Sequence, residues 1–141
     1  MSLIGFPLLL IPFAIYNIIA FLMPGVGFTG AVTTVTMASG GEWSMSPGDY
    51  LVCLGVLLLF VELLKSTRIG TRNVVDHGLS FLLFVAMTVE FILVGQAASS
   101  TFFILLIISF VDVLGGFAVS LRSAQRDFSV ESGAHIVPPP Q

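Results

Sequence analysis

Residues 101–121 read TFFILLIISFVDVLGGFAVSL, an apolar run broken by a single acid, Asp112. At about 1.5 Å per residue, a helix of that length crosses the roughly 30 Å hydrocarbon core of a bilayer. Working outward, three further apolar segments appear: LIGFPLLLIPFAIYNIIAFLM at 3–23, YLVCLGVLLLFVELLK at 50–65 and GLSFLLFVAMTVEFILVGQ at 78–96. The expected fold is an all-α integral membrane protein, a four-transmembrane-helix bundle over 1–127. A short non-cytoplasmic β-hairpin-like loop, 24–49, joins helices 1 and 2, and a disordered cytoplasmic tail occupies 128–141.

Composition agrees with this reading. Of 141 residues, 56% are hydrophobic and 9% charged, and the mean hydropathy is +1.06. Five basic and eight acidic side chains are too few to solvate a water-soluble globule of this size. Five cations also provide no Lys/Arg patch for phosphate, so nucleic acid is excluded as a partner. Cys53 is the single cysteine, which rules out an internal disulfide and paired-thiol redox chemistry.

The basic residues orient the chain. Lys65, Arg68 and Arg72 lie between the second and third segments and Arg122 and Arg126 after the fourth, while the other connections carry none. Both termini and the 66–76 loop are therefore expected in the cytoplasm. The first segment lacks the basic start of a signal peptide and its apolar run is too long for one, so it is read as a retained span.

Loop 24–49 has its own pattern. Val32-Thr33-Thr34-Val35-Thr36-Met37 is rich in β-branched residues, Ser39-Gly40-Gly41 offers turn chemistry, and Glu42-Trp43-Ser44-Met45 supplies a returning strand. Trp43 and Tyr50 are then placed as interface anchors, where amphipathic rings prefer to sit. Ser46-Pro47-Gly48-Asp49 reads as a capping box opening the second helix. Asp76 is a candidate cap for the third helix, and Ser99 or Ser100 for the fourth.

No catalytic, cofactor-binding or metal-binding set emerges. Gly25-Val26-Gly27-Phe28-Thr29-Gly30 fits a dinucleotide fingerprint in letters, but it follows a membrane span rather than opening a strand–helix unit. His77 and His135 are the only histidines, too few and too far apart for paired haem ligation or a compact metal site.

Polar residues inside the spans carry what functional signal there is. A charge at the bilayer centre costs roughly 2.5–3.5 kcal/mol on insertion scales, so an intramembrane acid faces protein or water. Glu62, Glu90 and Asp112 qualify, and Asn17 in the first span can offer an amide to the same interior. Glu62 stands three residues before Lys65, a spacing at which an ion pair accounts for it. Ser109, Asp112, Gly116 and Ser120 fall along one face of the fourth helix and form a small, polar packing seam. Gly55 shares a face with Glu62 on the second helix.

Two functions of different classes follow. In the first, the chain is a non-enzymatic scaffold or accessory subunit that associates through its helices with itself or with a larger membrane complex. In the alternative, it is a small oligomeric proton- or cation-coupled channel or transporter using Asp112 and Glu90, with Glu62 and Asn17 as further relay candidates. The four-span plan is similar to that of small multidrug-resistance transporters, but those carry an essential Glu in the first span, where this chain has Asn17. In layout the chain resembles small bacterial inner-membrane proteins, a likeness that carries no functional residue across.

Overall fold

The structure, a computed structural model, describes residues 5–67 and 72–134. The first apolar segment is the one whose helix falls short. Gly5 has φ +113°, a left-handed conformation that breaks a helix before it starts. Pro7 then disfavours helical geometry in its predecessor. Helix α1 (Leu10–Asn17) opens only after it, with the Leu10 and Ile11 amides donating to the Pro7 and Leu8 carbonyls at 3.0 Å. Pro12 is tolerated because the first turn needs no i−4 partner for its missing N–H. The helix continues as a π-helical turn, Ile18–Leu22, and stops at Met23, just ahead of Pro24-Gly25. Leu10–Leu22 is apolar, but it covers only about 20 Å at 1.5 Å per residue.

A two-stranded antiparallel sheet follows. β1 (Thr33–Thr36) pairs with β2 (Glu42–Met45), placing Val35 opposite Trp43. Gly40, at φ +83°, supplies the left-handed residue that the turn demands. The hairpin read from the sequence is thus present, as a small two-stranded antiparallel sheet.

Helix α2 (Pro47–Ser66) begins with the expected capping box. The Asp49 amide donates to Ser46 Oγ at 3.2 Å and the Ser46 amide to Asp49 Oδ2 at 2.8 Å. Helix α3 (Arg72–Leu93) starts six residues ahead of position 78, so Asp76 lies inside the helix and is not its cap. An apolar window marks where lipid contact begins, and the polar turn before it is helical because it contains neither Gly nor Pro. Val94 is extended, a single 3₁₀ turn spans Gly95–Ala97, and α4 (Ser100–Ala134) follows. Of the two candidate caps, Ser99 holds the position, its Oγ accepting from the Phe102 amide at 3.1 Å.

Helix α4 runs well past 121 and through 128–134, which the sequence assigned to a disordered tail. Between Arg122 and Ser132 no Gly or Pro interrupts it. The Ser129 and Ser132 hydroxyls donate back to the Arg126 and Phe128 carbonyls. The rest of that tail, 135–141, lies outside the described residues.

Among the described residues, three helical stretches are long and apolar enough to cross a membrane: Pro47–Ser66, Val74–Leu93 and Ser100–Gly133. Helix α4 is the central one, with 39% of its most apolar stretch buried against 22% for α2 and 17% for α3. It packs on both neighbours, and α1 rests on α2 and α4. The core gathers Tyr16, Leu51, Leu83, Met87, Phe102, Leu105 and Ile108. Aromatic rings stitch it together: Tyr16 stacks on Phe28 at 4.4 Å and meets Phe102 edge-on at 4.9 Å. Most other large apolar side chains point outward, as a bilayer requires and water would penalise.

Candidate functional site

The polar side chains within the helices form two clusters, at opposite ends of the bundle. At the end distant from the hairpin, Glu62, Lys65, Ser66, Asp76, His77, Ser80 and Asp112 line a pocket of about 10 Å³, room for a single water. Glu62 is only 6% exposed. Lys65 Nζ donates to both of its carboxylate oxygens at 3.3 Å, and the Leu8 amide donates to Oε2 at 3.1 Å. Lys65 Nζ also reaches the Phe6 carbonyl at 3.1 Å. The pair that the spacing suggested is therefore present, and it additionally ties the segment before α1 to the end of α2. That long-range bond has no signature in local sequence.

Asp112 sits across from α3 with the Ser80 hydroxyl as its side-chain hydrogen-bond partner. The α4 seam does face a helix: Ser109 and Asp112 are buried, Gly116 is buried, and Ser120 is half-buried with its hydroxyl donating to the Gly116 carbonyl at 3.1 Å. Gly116 lies directly against the His77 imidazole, and a Cβ there would collide with the ring. Gly55 does the same work between α2 and α4. A Cβ on it would stand 3.0 Å from Leu105 Cδ2 and 3.3 Å from Ile108 Cδ1. His77 Nε2 is buried and meets no hydrogen-bond partner among the described residues. The sequence reading considered this histidine only as a ligand, and its packing against a glycine was missed.

Toward the hairpin end, Asn17 Nδ2 donates to the Phe13 carbonyl at 3.2 Å and to Glu90 Oε2 at 3.4 Å. Glu90 Oε1 is buried and meets no partner among the described residues. Beside them stands Tyr16, wholly buried, whose hydroxyl donates to the Gln96 carbonyl at 2.8 Å and shares a 2.6 Å hydrogen bond with Ser99 Oγ. Tyr16 escaped the sequence reading. The available signal was a phenol within an apolar run, which must find a polar partner once buried.

The two acids singled out together are not brought together. Ser80, the partner of Asp112, and Glu90 are ten positions apart on α3, a separation of roughly 15 Å along the helix. Leu83 and Met87 on α3, and Phe102 and Leu105 on α4, occupy the interval, each 7% exposed or less. Trp43 and Tyr50 are both about half-exposed at the hairpin end, and Tyr50 shares a 2.9 Å hydrogen bond with Thr33 on β1. Among the described residues, no group of three or more His, Cys, Asp or Glu is placed to hold a metal ion. Compared with known protein families, curated proteins and solved structures, the chain matches none.

Proposed function

We propose that this chain is a non-enzymatic scaffold or accessory subunit of a membrane, acting through helix–helix association with itself or with a larger membrane complex. The observation that carries the reading is the occupation of its intramembrane acids. Glu62 is held by Lys65 and the Leu8 amide, Asp112 by Ser80, and Glu90 by Asn17. Apart from Glu62–Lys65, which lies within α2, each contact joins two segments of the bundle, which is what a polar group in lipid does when it serves association. The short apolar helix Leu10–Leu22, extended by the residues before it, is the fourth span of the proposal. The basic residues place both termini in the cytoplasm, in a layout suited to a bacterial inner membrane.

The alternative is a proton or cation relay through Asp112 and Glu90, and the unpartnered Glu90 Oε1 is the observation that favours it. Against it stand the packed apolar side chains of Leu83, Met87, Phe102 and Leu105 between the two acids, which oppose the passage of a hydrated ion. Flux in proteoliposomes separates the readings. Under proton, sodium or potassium gradients, wild-type vesicles are expected to leak no faster than empty ones. A pH-dependent flux that disappears in Asp112→Asn overturns the scaffold reading.

A further inference from the structure

Helices α2 and α4 run side by side in the same direction, and their close contacts give the register. Gly48 lies against Thr101, Gly55 against Leu105 and Ile108, and Leu63 against Gly115. Continued by one turn, that register sets Thr67, where α2 ends, beside Val119. Helix α4 does not end there. The side that packs on α2 carries on as Val119, Arg122, Ser123, Arg126 and Ser129, at the i, i+3, i+4 spacings of a single helix face. With Thr67 these residues line an open notch of about 560 Å³ beyond the end of α2. The Thr67 and Ser129 hydroxyls donate to carbonyls of their own helices, those of Leu64 and Arg126. The two guanidiniums and the Ser123 hydroxyl are not engaged in this way, and among the described residues none of them makes a hydrogen bond or an ion pair. Asp127, which also lines the notch, pairs with neither arginine.

We propose that this notch binds the phosphate of an anionic phospholipid from the leaflet at that end of the bundle. Depth is the first argument. The 20 residues of α2 cover about 30 Å, the thickness of the hydrocarbon core, so Thr67 and Val119 mark its edge. Arg122 and Arg126 follow about 5 and 10 Å further along α4, inside and at the outer margin of a headgroup layer about 5–8 Å deep. Charge is the second. Two guanidiniums one turn apart can share one anion, their planar forks match phosphate oxygens, and a basic pocket between spans is a receptor for lipid headgroups. Placement is the third. Basic residues that only orient a span can stand on any side of the helix, whereas both of these stand on the side that overhangs α2. Val111 and Ala118 precede Arg122 on that side, at spacings of seven and four, and both are exposed, an apolar track for acyl chains running toward the bilayer centre. The proposal uses none of the intramembrane acids, so it holds for a scaffold and for a transporter alike.

The test titrates full-length protein in mild detergent with short-chain phosphatidylglycerol and with phosphatidylcholine of the same chain length, and counts bound lipid by native mass spectrometry. A single phosphatidylglycerol is expected to bind in preference to phosphatidylcholine. Arg122→Gln and Arg126→Gln are each expected to weaken it about fivefold at unchanged helical content. Equal retention of the two lipids, or phosphatidylglycerol binding that the double variant leaves intact, overturns the proposal. So does rescue of Arg126→Gln by Ser132→Arg, which restores the net charge outside the notch, because the attraction would then be unspecific. A last arm adds inorganic phosphate in excess. Phosphatidylglycerol that stays bound supports a lipid site, whereas its displacement shows a site for free phosphate and overturns the lipid as the source.

Discussion

Gly116 and His77 set how closely α3 and α4 approach, because the imidazole occupies the space where any side chain on residue 116 would begin. Gly116→Leu is therefore expected to separate the two helices at a cost of about 1–3 kcal/mol, the usual range for overpacking a filled contact. A lowered melting temperature in mild detergent checks this, and an unchanged one contradicts it. Tyr16→Phe removes the hydroxyl bonded to the Gln96 carbonyl and Ser99 Oγ. The expected loss is about 1–2 kcal/mol, read by the same melt. Asp112→Asn keeps a hydrogen-bonding group facing Ser80, and a change of less than about 1 kcal/mol is expected from it. At this scale the sequence was partly legible. The i, i+3 spacing of Glu62 and Lys65 and the 109–112–116–120 seam are local patterns and could be read directly. The Leu8–Glu62, Asn17–Glu90 and Tyr16–Ser99 contacts join residues far apart in the chain, and no periodicity encodes them.

Elements were legible in kind and less so in length. Ser46-Pro47-Gly48-Asp49 announced the start of α2 because a capping box is a complete chemical signal in four residues, and Ser46→Ala is expected to cost about 1 kcal/mol by removing it. Thermal melts of that variant check the value. Hydropathy, by contrast, reports where side chains meet lipid and is silent on where a helix ends. That is why α3 begins at Arg72 and α4 persists to Ala134, beyond both windows. The first segment fails in the opposite direction. It is apolar throughout, yet Gly5 and Pro7 delay helix formation until Leu10, a backbone constraint that hydropathy does not register.

For the whole molecule, the central position of α4 unites these observations. One of its faces meets α2 at Gly55 and α3 at Ser80 and His77, and its opposite face is apolar and exposed. Topology is testable independently of partners. Thiols introduced at Ser39 are expected to react with an impermeant reagent from outside, and those at Thr67 and Ser123 only after the membrane is opened; the reverse pattern contradicts the orientation drawn from the basic residues. The account's central claim is association, and native mass spectrometry of the affinity-purified full-length chain in mild detergent tests it most directly. The account predicts a second copy, or a larger membrane protein in fixed stoichiometry, held to the chain. A chain that flies as a monomer with nothing bound would contradict it.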